Sequence, residues 1–168
     1  RGQSWSFSSK PKTESEAVAE VKAIAEHPAD AFERGQATGT PEQREALKAW
    51  LGQELLSPLT ALHDRVFAVP YSRDAAARGA RKVKTQALVY LAAGAPAEAA
   101  ERAAAQYRVA DNMTDRQGAL MVLCGLDGPE RAELLADFHA RYAGNALVID
   151  KWFSLQAGSL HPRALEQV

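Results

Sequence analysis

The chain is punctuated into helical hairpins, and that punctuation leaves few folds open to it. Helical segments beginning near Arg73, Asp115 and Ala146 recur along the second half of the sequence, the first two turning back at Gly94 with Pro96 and at Gly128 with Pro129. Their spacing lies in the range of two-helix repeats, roughly 34 to 47 residues. A single hairpin cannot bury its apolar stripe, so neighbours must stack side by side. The spacing therefore predicts an all-α fold of stacked antiparallel helical hairpins forming an α-α superhelix. The hairpins share no residue signature; what repeats is stripe and turn.

Taken in order, residues 1–12 carry Ser4-Trp5-Ser6-Phe7-Ser8, an alternation suited to an extended tail or the end of a preceding β-sandwich strand. The start without methionine reads as a cut from something longer. Residues 13–168 read as a helical-repeat domain. Thr13 with Glu16 offers a capping box for a helix over 14–27, whose Val18, Val21, Ile24 and Ala25 form one stripe before Pro28. Thr40 and Pro41 start a helix carrying Leu47, Trp50, Leu51, Leu55 and Leu56, and Ser57-Pro58 starts another over 59–69. Ser72 is expected to cap a long helix to Ala93, with Val83, Leu88, Tyr90 and Leu91 toward the core and Gly94 at its end. Pro96 opens a helix to Val109. The next hairpin is expected over 115–126 and 129–143, with Thr114 as cap and Gln117 closing a capping box. A helix over 147–157 follows, and Pro162 opens a short arm.

Composition closes several classes of function. At 46% hydrophobic and 24% charged, with a formal net charge of -1, the chain has no general attraction to nucleic acid or an acidic membrane. Arg73, Arg78, Arg81, Lys82 and Lys84 concentrate positive charge on one helix, read as a solvated face. Cys124 is the single cysteine, so no intramolecular disulfide is available and the thiol reads as a small buried hydrophobe. No apolar run approaches the ~20 residues that span a bilayer, and the default expectation is a cytoplasmic protein. Neither nucleic acid nor membrane is expected as a partner.

Catalytic groups are equally scarce. His27, His63, His139 and His161 are too far apart for two imidazoles to lie one helical turn from each other, as a zinc hydrolase requires, and read as solvated polar residues. Cys124 and the serines sit in no nucleophile elbow, and no glycine-rich loop joins a strand to a helix. Asp111 and Asp115 read as capping acids at a helix start.

Two runs stand out: Asp111-Asn112-Met113-Thr114-Asp115 and Val148-Ile149-Asp150-Lys151-Trp152-Phe153. They resemble the C-terminal helical domain of the bacterial aminopeptidase N family, the zinc alanyl aminopeptidases, where Asn-Asn-Met-Thr-Asp precedes one helix and Val-Met-Asp-Lys-Trp-Phe follows about a hairpin later. The resemblance extends through Ser72-Arg73-Asp74, Ala92-Ala93-Gly94 and Ser154-Leu155-Gln156-Ala157. Asp111 and Ile149 depart from it conservatively. Asp30-Ala31-Phe32-Glu33-Arg34 is similar to the start of the family's helical domain, although Gly35 stands where the family has Trp. After Ala37 the family continues through further helices that this chain lacks, so residues 38–40 are expected to mark an internal deletion, engineered or natural, or the junction of an unusually short relative.

What the resemblance implies is a structural piece. The parent enzyme would remove N-terminal residues from peptides, preferring Ala and basic side chains, with one zinc held by a domain that carries the His-Glu-x-x-His and Gly-x-Met-Glu-Asn motifs; this sequence has neither. The segment itself is expected to hold no cofactor, to be inactive alone, and to wall the substrate cavity against its partners, the parent's catalytic domain and peptide substrates. A free-standing helical-repeat interaction module is the alternative, and self-association through an apolar end face would be unsurprising. Packing accounts for Trp50, Tyr90, Trp152 and Phe153 as core. Nothing local requires Asn112, Asp115, Asp150 and Lys151, so these are expected to be accessible and to form polar contacts at the domain interface or cavity wall.

Overall fold

The computed structural model describes residues 41–159 and residue 161, and among these it is all helical. The expected strand near Trp5, the helix over 14–27, the junction at 38–40 and the arm after Pro162 lie outside the described residues. Seven helices follow one another within them: α1 (Pro41–Glu54), α2 (Leu56–Phe67), α3 (Ala75–Gly94), α4 (Pro96–Val109), α5 (Met113–Cys124), α6 (Pro129–Tyr142) and α7 (Ala146–Ala157).

Turn chemistry sets most of these boundaries. Pro96 and Pro129 occupy the first turns of α4 and α6, where a missing N–H costs nothing. Gly128, at φ 151°, makes the entry to α6 that a side chain would obstruct. Two caps differ from expectation. Asp74, not Ser72, caps α3: its Oδ1 accepts the Ala77 N–H at 2.8 Å, and Ser72 supports it by donating to Oδ2 at 2.5 Å. Those two bonds hold the Asp74 carboxyl below the usual range. Likewise Asn112, not Thr114, caps α5, its Oδ1 accepting the Asp115 N–H at 2.9 Å. Thr114 then falls inside the first turn.

Packing builds two layers. α3, α5 and α7 touch in sequence along one side, α4 packs on α6 along the other, and each hairpin closes between them, giving the stacked arrangement expected. The core lies between the layers, where Leu88 and Leu91 of α3, Leu120 of α5 and Phe138 of α6 are fully enclosed. α4 contributes Ala99, Ala103 and Ala104, small side chains that let α5 approach closely. At the other end α1 crosses α3 where Gly52 meets Gly94. A Cβ on Gly52 would stand 2.1 Å from the Tyr90 carbonyl oxygen, and one on Gly94 would stand 2.3 Å from the Gly52 carbonyl carbon. Only glycine permits this crossing.

The aromatic residues expected in the core divide. Trp152 is half-buried, packs on the core and donates its Nε1–H to the Leu135 carbonyl at 2.9 Å. Trp50 and Tyr90 are half-buried in α1 and α3. Phe153 is 42% exposed, a correction with a simple cause: it follows Trp152 directly, and neighbours in a helix point about 100° apart, so only one ring of the pair can enter the core. Val83 likewise turns outward.

Candidate functional site

The unusual chemistry collects where α5 begins. Asp115, in the first turn of α5, is buried, with 7% of its surface exposed, so the expected accessibility does not hold for it. Its Oδ2 accepts from Lys84 Nζ of α3 at 3.0 Å and from Asn112 Nδ2 at 3.1 Å. Its backbone carbonyl accepts from Gln106 Nε2 of α4 at 2.9 Å. Gln106 Oε1 in turn takes the His63 Nε2–H of α2 at 3.3 Å. Three helices therefore meet on Asp115, and α2 joins them through Gln106.

Lys84 is explained by the period of α3. The buried positions Ala77, Arg81, Lys84, Leu88 and Leu91 step by four, three, four and three residues, so the core stripe runs straight through two cations. The solvated basic face expected for this helix is thus corrected at two of five positions. Arg81 enters by donating Nη1 to the Ser72 carbonyl at 2.8 Å and stacking 4.9 Å from the Tyr71 ring centroid. Lys84 enters with Asp115 as counter-ion and with the Phe67 ring 5.8 Å away. The signal was present in the spacing of Leu88 and Leu91; residue type concealed it. His63 corrects a second expectation, being 1% exposed rather than solvated. Burial, acting first, pushes its imidazole below its ordinary pKa, opposed by the bond to Gln106.

This cluster holds rather than reacts. One oxygen, Asp115 Oδ1, is buried with no hydrogen-bond partner, and Asp115 lines a cleft of about 150 Å³ together with Phe67, Tyr71, Val109 and Asp111. At the far end of α5 the thiol is not a nucleophile, for burial pushes Cys124 up to about 11. Tyr107 stays a phenol, raised by burial and by its bond to Asp137 Oδ2 at 2.8 Å. Among the described residues no three His, Cys, Asp or Glu side chains converge as metal ligands.

Asp150 and Lys151 are not brought into this cluster. Both are exposed on α7, where the Asp150 carbonyl accepts from Ser154 Oγ at 2.7 Å. The sequence-predicted site thus splits into an internal pair, Asn112 with Asp115, and a surface pair, Asp150 with Lys151.

A larger feature escaped the sequence altogether. Between α3 and α5 runs a groove of about 590 Å³, edged by Arg78, Lys82 and Gln86 on one side and by Thr114, Gln117 and Met121 on the other, with Leu155 of α7 closing one end. At its floor the two helices touch, since a Cβ on Gly118 would stand 2.5 Å from Thr85 Oγ1.

Comparison with known proteins agrees with the motifs. Residues 26–168 match the family described as "Domain of unknown function (DUF3458_C) ARM repeats". The chain is 32% identical over 138 residues to aminopeptidase N of Caulobacter vibrioides, covering 82% of this chain and 16% of that protein. It is 33% identical over 127 residues to aminopeptidase N of Escherichia coli K12, covering 76% and 15% respectively. Among solved structures, Legionella pneumophila aminopeptidase A in complex with aspartic acid superposes with a TM-score of 0.65 at 24% identity, over 75% of this chain and 16% of that one, a likeness of fold. The chain thus spans about one-sixth of the relatives it matches.

Proposed function

The chain belongs to the DUF3458_C family of ARM-repeat domains, and from that premise we propose that it is the helical wall of an aminopeptidase N, packing against the catalytic domain and bounding the cavity through which peptides reach it. The observation that carries this reading is the match over 138 residues, 82% of this chain, to aminopeptidase N. The parent would remove N-terminal residues from peptides in the cytoplasm, with zinc chemistry supplied by its catalytic domain. This domain's own residues supply shape and rigidity, and Asp115 has that role: it locks α2, α3, α4 and α5 together so that the α5 start keeps its place. Asn112, Asp150 and Lys151 are the residues we assign to polar contacts across the domain interface or along the cavity wall. A free-standing interaction module is not favoured, given the matched relatives.

Replacing the matching segment of the Caulobacter enzyme with this chain tests the reading. A chimera that hydrolyses an alanine anilide and keeps the wild-type preference among short and long peptides is the expected result. If an unrelated helical-repeat domain in the same place restores both properties equally well, the assignment fails.

A further inference from the structure

We propose that the groove between α3 and α5 docks an acidic, extended segment of a polypeptide. The inference goes beyond the aminopeptidase reading, because it rests on the groove's own charge and shape.

Charge comes first. Arg78 and Lys82 stand one turn apart on α3, both exposed, and neither forms an ion pair among the described residues. By contrast Arg102, Arg108 and Arg141 each meet a carboxylate. Two cations four residues apart repel each other across a helix face, and an anion between them would relieve that repulsion. Arg81 adds a third positive group at the same end, and no lining residue among those described is acidic. The nearest carboxylate of α5, Asp115, is engaged with Lys84. The first turn of α5, which brings Thr114 to the rim, contributes the positive end of a helix dipole.

Polarity then changes along the groove. Beyond the cations come Thr85, Gln86 and Gln117, able to pair with peptide N–H and C=O groups, and beyond those Val89, Met121 and Leu155. Met121 is 42% exposed, an adaptable apolar contact left open to solvent. The occupant that fits has carboxylates at one end and apolar side chains at the other.

Shape selects an extended chain. From Arg78 to Val89 the groove follows α3 for about 16 Å at ~1.5 Å per residue, the reach of about five extended residues at ~3.3 Å each. A helix is roughly 10 Å across. α3 and α5 touch at the floor beside Gly118, so an occupant lies over the two helices along their length rather than between them. The volume of about 590 Å³ lies within the range of clefts that bind ligands, roughly 300–1,000 Å³.

The test uses the full 168-residue chain and fluorescence anisotropy with a labelled Glu-Glu-Ser-Val-Leu peptide. Its Gln-Gln and Lys-Lys counterparts and a labelled oligothymidylate serve as comparisons. The acidic peptide should bind about fivefold more tightly than the Gln-Gln peptide, the worth of two exposed ion pairs, and lose that margin as salt rises. The double variant Arg78→Glu with Lys82→Glu, both at solvent-exposed positions, should keep its melting temperature and prefer the Lys-Lys peptide. Met121→Glu should weaken the acidic peptide without reversing the charge preference. Equal binding of the Glu-Glu and Gln-Gln peptides, indifference to the double variant, no binding at millimolar protein, or tighter binding of the oligothymidylate through Arg78 and Lys82 would each overturn the proposal. None of these results bears on whether the chimera described above is active, so the two readings fail separately.

Discussion

Lys84 Nζ of α3 and Asp115 Oδ2 of α5 stand 3.0 Å apart, with side-chain exposures of 4% and 10%. Removing one partner of such a pair strands the other charge. Asp115→Ala is therefore expected to cost ~3–5 kcal/mol, and Lys84→Met a similar amount, while the double variant Lys84→Met with Asp115→Leu should recover most of the loss. Denaturant unfolding of the three variants checks this. Additive losses in the double variant would show that the two charges are not coupled.

Two glycines of α3 should respond oppositely to alanine. Gly94→Ala places a Cβ 2.3 Å from the backbone of Gly52, so α1 must shift, an overpacking typically worth ~1–3 kcal/mol. Gly79 lies inside the same helix, exposed, with nothing within 4 Å of a built Cβ. Gly79→Ala should stabilise by ~0.5–1 kcal/mol through helix propensity alone. Thermal melts that move both variants the same way would contradict the crossing described.

Adjacent rings of α7 should separate just as clearly. Trp152→Ala removes packing against the core and the bond to the Leu135 carbonyl, and should cost ~3 kcal/mol. Phe153→Ala loses little more than an edge contact to Trp152, with centroids 5.0 Å apart, and should cost ~1 kcal/mol. Chemical denaturation distinguishes the two.

His63 gives the domain a pH dependence on the acid side. Its folded pKa lies below the ordinary 6.5, so between those values the unfolded chain binds more protons than the folded one. Stability contributed by the neutral, buried imidazole is thus complete above 6.5 and declines as pH falls through that window. His63→Gln should flatten the slope of unfolding free energy below pH 6.5, whatever its effect above that pH. An unchanged slope would mean another group carries the proton.

Proline and glycine made the fold readable in advance: Pro96 and Pro129 open α4 and α6, and Gly94 closes α3, as expected. Caps were harder, since Ser72 and Asp74, or Asn112 and Thr114, can all serve, and the direction from which the preceding loop enters decides between them. The Lys84–Asp115 pair was half visible. Heptad spacing put Lys84 on the buried stripe, but its partner lies 31 residues away and no local rule joins them. The groove was invisible because three helices assemble it, and Arg78 becomes informative only once Thr114 and Gln117 of α5 are found lining the same groove.

α3 packs against α1, α2, α4 and α5, whereas α7 rests on α5 and α6 among the described helices. In hydrogen exchange this asymmetry gives the domain a direction. Opening α7 uncovers one flank of the stack and should occur well below the free energy of global unfolding, but opening α3 dismantles contacts with four helices at once. The amides around Leu88 and Leu91 should therefore exchange only when the whole domain unfolds, making α3 the last helix to let go.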